Sequence, residues 1–163
     1  MEEKKEKTCC FTGHRVIPRE EIGRLQFALQ SQISALAEKG VTIFYCGGAL
    51  GFDTLAAEAV LQAKKEHPAI RLHLALPCPE QAERWRTEDV MRYEKIKEQA
   101  DSVVFVSPRY SSGCMQKRNR YMADRSCVCI AYLLPQQQRG GTKYTVAYCE
   151  KKNLPVVNLA DMQ

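Results

Sequence analysis

The stretch Val41-Thr42-Ile43-Phe44-Tyr45-Cys46-Gly47-Gly48-Ala49-Leu50-Gly51-Phe52-Asp53 decides how this chain folds. Its first six residues show no regular polar alternation and are mostly β-branched or aromatic, the pattern of a strand buried on both faces of a parallel sheet. After Asp53 the period changes. Leu55, Ala56, Ala59, Val60 and Ala63 recur at helical spacing. Gly47, Gly48 and Gly51 thus occupy a strand-to-helix turn, where a backbone without Cβ atoms turns tightly and admits an oxygen-rich ligand. The spacing Gly-Gly-x-x-Gly is neither a Walker A loop nor the dinucleotide fingerprint, so turn geometry and a phosphate cradle are both open readings. Asp53 likewise has two, an N-cap for the helix and a ligand for ribose hydroxyls.

The same punctuation recurs outward from this turn. An apolar run at 8–11 ends in Thr12-Gly13-His14-Arg15, which sets a hydroxyl, an imidazole and a guanidinium beside a glycine. Arg15 is suited to a bidentate phosphate contact and His14 to general-base work. A helix follows from Pro18 and Glu20-Glu21, with Ile22, Leu25, Leu29, Ile33 and Leu36 as its apolar stripe and Gly40 as its stop. Beyond the central turn, a strand over 70–76 leads through Pro77 and Pro79 into a charged helix over 81–100. Trp85 reads there as packing or as a stacking plate. A strand over 103–106 precedes a Ser/Gly-rich loop and a helix over about 114–125, and a strand over 128–134 leads to Gly140-Gly141-Thr142, a helix, and a last strand over 154–159. Strands that alternate with helices imply a parallel sheet whose ligands sit beyond the strands' carboxyl ends. The expected fold is therefore α/β, a Rossmann-like three-layer sandwich with a mostly parallel central sheet.

The chain has 163 residues, 45% hydrophobic and 26% charged, which fits one globular domain. Residues 1–7 are read as a flexible charged tail and 8–163 as a single domain. No apolar run nears 18 residues and no signal peptide is recognisable, so a cytoplasmic location is expected. Eight cysteines include no Cys-x-x-Cys, and the three histidines do not fall at zinc-finger spacing from them. They are expected to be thiols of the core, with no metal site.

Net charge is +5 and concentrated: Arg109, Lys117, Arg118, Arg120 and Arg125 stand against Asp124 alone. At 100° per residue, Arg118 and Asn119 fall near the face shared by Met115 and Met122. A cation beside a buried stripe needs an anionic partner, which makes Arg118 the best candidate for an anion ligand.

Cys10-Phe11-Thr12-Gly13-His14-Arg15 together with Gly47-Gly48-Ala49-Leu50-Gly51-Phe52-Asp53-Thr54-Leu55-Ala56-Ala57-Glu58 resembles the SLOG superfamily, and its bacterial YpsA-like branch in particular, over nearly the whole chain. That Rossmann-like group includes the DNA-processing protein DprA and the LOG phosphoribohydrolases. The resemblance implies a nucleotide or nucleotide-sugar ligand over the strand ends, with Thr12, Gly13, Arg15, Gly47, Gly48, Gly51, Asp53, Arg118, Gly140, Gly141 and Thr142 around it and no other cofactor. It also implies a homodimer or higher homo-oligomer. LOG enzymes carry a Met-x-x-Arg-Lys-x-x-Met helix and a Pro-Gly-Gly-x-Gly-Thr turn followed by a catalytic Glu. Met115, Arg118 and Met122 match the first, but Asn119 stands for the Lys, and Lys143-Tyr144-Thr145 stand where the Glu would follow.

A binding protein, sensor or regulator, with a protein as a further candidate partner, is the reading this favours. The alternative is a nucleoside monophosphate N-glycosidase in which Glu58 or His14 replaces the missing carboxylate beside Arg118. A third reading is DprA-like single-stranded DNA binding through 109–125. Few aromatics in that segment argue against a stacking platform, so nucleic acid and membrane are not the expected partners.

Overall fold

The structure is a computed structural model and describes residues 4–162. Of the expected flexible tail, residues 1–3 lie outside the described residues, while Lys5–Lys7 form one 3-10 turn closed by the Lys7 N–H on the Lys4 carbonyl at 2.8 Å. Six strands follow: β1 (Thr8–Gly13), β2 (Ile43–Cys46), β3 (Arg71–Leu76), β4 (Ser102–Phe105), β5 (Val128–Tyr132) and β6 (Val156–Asn158). They alternate with helices α1 (Ile22–Glu38), α2 (Phe52–Lys64), α3 (Thr87–Gln99), α4 (Cys114–Asp124) and α5 (Gly141–Lys151).

The strands form one sheet in the order β4-β3-β2-β1-β5-β6, and every pairing is parallel. Right-handed crossovers place α1, α2 and α3 on one face, where they follow strands stepping outward from β1. The direction reverses after β4, so α4 and α5 pack together on the other face. This is the expected three-layer α/β sandwich.

Strand alternation builds two unequal cores. Phe11, Phe44, Leu72, Leu74, Leu76 and Ile130 face α1 to α3 with Leu25, Leu29 and Val60. Cys10, Tyr45, Ala75, Cys129 and Ala131 face α4 and α5 with Met122, Val146 and Cys149. Mostly small residues on the second face let those helices approach closely, and the thiols act there as small hydrophobes. All eight cysteines are free; Cys127 is half-buried and the rest are buried.

One element is shorter than its composition suggests. The helix expected over 81–100 begins only at Thr87, after turns over 79–84. Arg86 is extended at its head, and Trp85 turns in against Tyr93, ring centroids 5.1 Å apart and edge to face. Packing of the one indole thus overrides the helical propensity of its charged neighbours.

Candidate functional site at the strand reversal

Strand order reverses between β1 and β5, and the loops that leave these two strands diverge around a crevice of about 220 Å³. Open α/β sheets bind ligands at such a point. Thr12, Gly13, His14 and Arg15 line it from the end of β1. Gln137, Arg139, Gly140, Gly141 and Thr142 line it from the loop into α5, with Met115, Arg118 and Asn119 of α4 and Ala49 and Asp53 completing the wall.

The central turn is built from behind. Asp53 is 6% exposed and its Oδ2 accepts the Ala49 N–H at 3.2 Å. It therefore braces the turn; the cap position is Gly51, which offers no side chain. Arg118, 4% exposed, donates from Nη1 to the carbonyls of Gly47 and Ala75 and from Nε to Asn119 Oδ1 at 2.8 Å. Its nearest countercharge is Asp53. Burial pushes the Asp53 carboxyl up, opposed by Arg118, the Ala49 N–H and Arg15. Burial pulls the Arg118 guanidinium down, opposed by Asp53. Each is the other's main electrostatic compensation. Among the described residues, the expected anionic partner of Arg118 is thus this internal carboxylate, and its hydrogen bonds go to main-chain carbonyls, an amide oxygen and, from Nη2 at 3.9 Å, the Met115 sulfur.

The glycines serve close approach within the protein. A Cβ on Gly47 would lie 2.6 Å from Arg118 Nη1 and 2.9 Å from Asp53 Oδ2, so the brace closes only over hydrogen. Gly51, at φ +75°, brings its backbone against the first loop, where a Cβ would sit 2.2 Å from the Arg15 carbonyl oxygen, and the Phe52 N–H donates to the His14 carbonyl at 3.0 Å. Gly48 turns toward Leu76 and Tyr93. Gly47, Gly48 and Gly51 lie behind the lining, whereas Thr12, Gly13, Arg15, Asp53, Arg118, Gly140, Gly141 and Thr142 are on it.

The candidate acid-base groups are engaged elsewhere. Glu58 is held by Arg92 of α3 through two contacts of 2.6 and 2.7 Å, outside the crevice. His14 Nε2 accepts the Leu134 N–H at 3.0 Å, and burial holds its pKa below the ordinary value. The imidazole is a neutral tie between the ends of β1 and β5. Among the described residues Asp53 is the one carboxylate on the crevice wall, whereas glycoside hydrolysis ordinarily uses two.

What remains unspent faces the opening. Thr12 and Thr142 are 6% and 7% exposed, and neither hydroxyl has a hydrogen-bond partner among the described residues; nor does the Asn119 amide nitrogen. The exposed Arg15 side chain makes no hydrogen bond or salt bridge among the described residues, and it lines the crevice with Arg139. α5 starts at this wall with Gly140 at its N-cap and no side-chain cap. Ala49, Met115, Asn119, Gln137 and Arg139 also line the crevice, although the sequence did not mark them as ligand contacts. Asn119 had a signal, since it shares the Arg118 face of α4.

Residues 16–158 match the family model YpsA, described as the YspA SLOG family. The chain belongs to this SLOG family. It is 33% identical over 127 residues to a UPF0398 protein of Halalkalibacterium halodurans, covering 77% of this chain and 67% of that one. It is 31% identical over 143 residues to the SPbeta prophage-derived protein YoqJ of Bacillus subtilis, covering 77% and 82%. A UPF0398 protein of Bacillus pumilus is covered over 66% of its length, so the chain spans about two thirds of such relatives.

The DNA processing protein A of Helicobacter pylori, described with a single-stranded DNA binding mode, superposes with a TM-score of 0.66 at 19% identity over 93% of this chain and 64% of its own. That likeness shows a shared fold. It also corrects the expectation against nucleic acid as a partner, because a protein with this architecture binds single-stranded DNA. Among the described residues no helix is long and apolar enough to cross a membrane, and no group of three or more His, Cys, Asp or Glu could hold a metal ion.

Proposed function

We propose that this SLOG protein binds a nucleotide or nucleotide-derived ligand in the crevice between the ends of β1 and β5, and that it acts as a sensor or regulator. One observation carries the reading: Thr12, Thr142 and Asn119 are at most 9% exposed, and their hydroxyls and amide nitrogen line the crevice with no protein partner among the described residues. These donors are left to whatever occupies the crevice, so the set is complementary to a ligand rich in oxygen. Arg15 and Arg139 at the rim and the N-terminal end of α5 favour a negative charge there. A wall with one carboxylate among the described residues, itself tied to Ala49 and set against Arg118, favours holding such a ligand over cleaving it.

Thermal shift against nucleoside mono-, di- and triphosphates, NAD, ADP-ribose and cyclic nucleotides tests this. A ligand at a hundredfold its Kd stabilises the fold by about 2.7 kcal/mol. Thr142→Val, which keeps the shape and removes the hydroxyl, is expected to weaken the shift, and the ligand is expected to be recovered intact. A shift unchanged in Thr142→Val and in Arg15→Gln would move the site elsewhere.

Single-stranded DNA is a second reading, supported by the shared fold with a protein that binds it. In that case the nucleotide in the crevice belongs to a strand, and affinity falls steeply with salt.

A further inference from the structure

Helix α4 separates two hollows. Its Met115, Arg118 and Asn119 border the crevice, whereas Lys117 and Arg120 on its other flank border a hollow of about 560 Å³ with Ser107, Ser111, Gly113 and Tyr144. We propose that this second hollow is a phosphate subsite, and that it takes a phosphodiester of a single-stranded oligonucleotide that also fills the crevice. The occupation of the crevice rests on the function proposed above; the phosphate subsite does not.

Three independent features converge on it. Ser107 is 4% exposed and its hydroxyl makes no hydrogen bond among the described residues, so a donor on a nearly buried residue lines the hollow without a protein partner. The N-terminus of α4 opens beside it. Gly113, at φ +82°, gives no side-chain cap; the Cys114 N–H goes to the Ser111 carbonyl and the Lys117 N–H to the Gly113 carbonyl, while the Met115 and Gln116 N–H groups have no partner among the described residues. Such an end is electropositive. Lys117 and Arg120 add two cations, Arg120 being steered by an Nη1 hydrogen bond of 2.9 Å to the Tyr144 hydroxyl, and among the described residues no carboxylate is on the wall.

A strand is the ligand that uses both hollows. Lys117 and Arg118 are consecutive on α4, and Thr142 of the crevice wall lies two residues from Tyr144 of the second wall. A chain that leaves the crevice therefore has one helix, about 10 Å across, to pass before it meets the next positive site. At its edge Tyr144, 39% exposed, stacks on Tyr148 with ring centroids 6.5 Å apart and 18° between planes, a ring face of the kind on which bases stack.

The test is fluorescence anisotropy of the full chain with labelled (dT)12 across a salt series, alongside calorimetry with dTMP. It compares wild type with Ser107→Ala, Ser112→Asp and Lys117→Gln/Arg120→Gln. The double variant is expected to lower (dT)12 affinity about tenfold at low salt and to flatten the log K against log salt slope by about 0.7 for each phosphate it no longer neutralises. Ser107→Ala is expected to lower affinity with the slope unchanged. Ser112 is exposed, so Ser112→Asp places a repelling charge in the hollow even where Ser107→Ala folds poorly, and it too is expected to weaken binding. Affinity for dTMP should be wild-type in all of them. Wild-type (dT)12 affinity and slope in the double variant overturn the proposal. So does weakening by the double variant alone, with Ser107→Ala and Ser112→Asp both wild-type, because that is loose surface attraction. Absence of (dT)12 binding to the wild type overturns it as well. If dTMP never binds while (dT)12 depends on Ser107 and the two cations, the subsite stands and the crevice reading falls.

Discussion

Arg118 is 4% exposed, and what it does is decided by the groups around it: two carbonyls, the Asn119 amide oxygen, the Met115 sulfur and Asp53. Arg118→Ala leaves Asp53 buried without its countercharge and the Gly47 carbonyl without its donor, so the expected loss is about 3 kcal/mol or more by urea unfolding. Adding Asp53→Asn to Arg118→Ala is expected to cost less than the sum of the two single losses, because the neutral amide no longer needs the cation. Simple additivity would show that the two are not a pair. His14 makes a second residue-scale prediction. Burial holds its folded pKa below the unfolded value of 6.5, so the unfolded chain binds the proton first as pH falls. Its contribution is complete above pH 6.5 and is lost as pH drops from there toward the folded pKa. Urea midpoints between pH 8 and 5 are expected to fall less steeply in His14→Gln than in wild type.

At the scale of elements, periodicity made most of the fold legible. The unbroken apolar run of β2, the stripe of α1 and the change of period after Asp53 each report burial on known faces, and every strand, and every helix but α3, lies within a few residues of its expected span. Legibility ended where contacts are distant in sequence. That Arg118 is buried could be read from its helical face, but not that it reaches Gly47, 71 residues away, because periodicity carries no information about partners. Residues 81–86 read as helical for the same reason: the contact of Trp85 with Tyr93 is tertiary. The glycine turns were legible as turns, and only the structure tells packing from ligand contact. Gly51→Ala is expected to destabilise by about 2 to 4 kcal/mol, since a Cβ at φ +75° meets the Arg15 carbonyl. Gly23→Ala on α1, where a Cβ meets nothing within 4 Å, is expected to stabilise by about 0.5 kcal/mol. Thermal midpoints read both, and equal effects would show that the turn does not depend on the close approach.

At the scale of the whole molecule, the sheet is stiff at its middle and open at one edge. β1 and β5 are central and paired along five residues, while β4 pairs on one side alone and all four of its residues are exposed, Val103, Val104 and Phe105 at 36 to 43%. Amides that depend on few buried contacts open locally, whereas those of the centre wait for global unfolding. Native-state hydrogen exchange is therefore expected to show β4 as the least protected of strands β1 to β5. A ligand in the crevice touches the loop after β1 and the loop into α5 together, so it would slow exchange over residues 12–15 and 137–144 and leave β4 as it was. Protection gained at β4 instead, or spread evenly over the sheet, would place the ligand away from the reversal between β1 and β5. The pattern separates a ligand that seals two loops from one that merely stabilises the fold, because the second raises only the amides that already exchange by global opening.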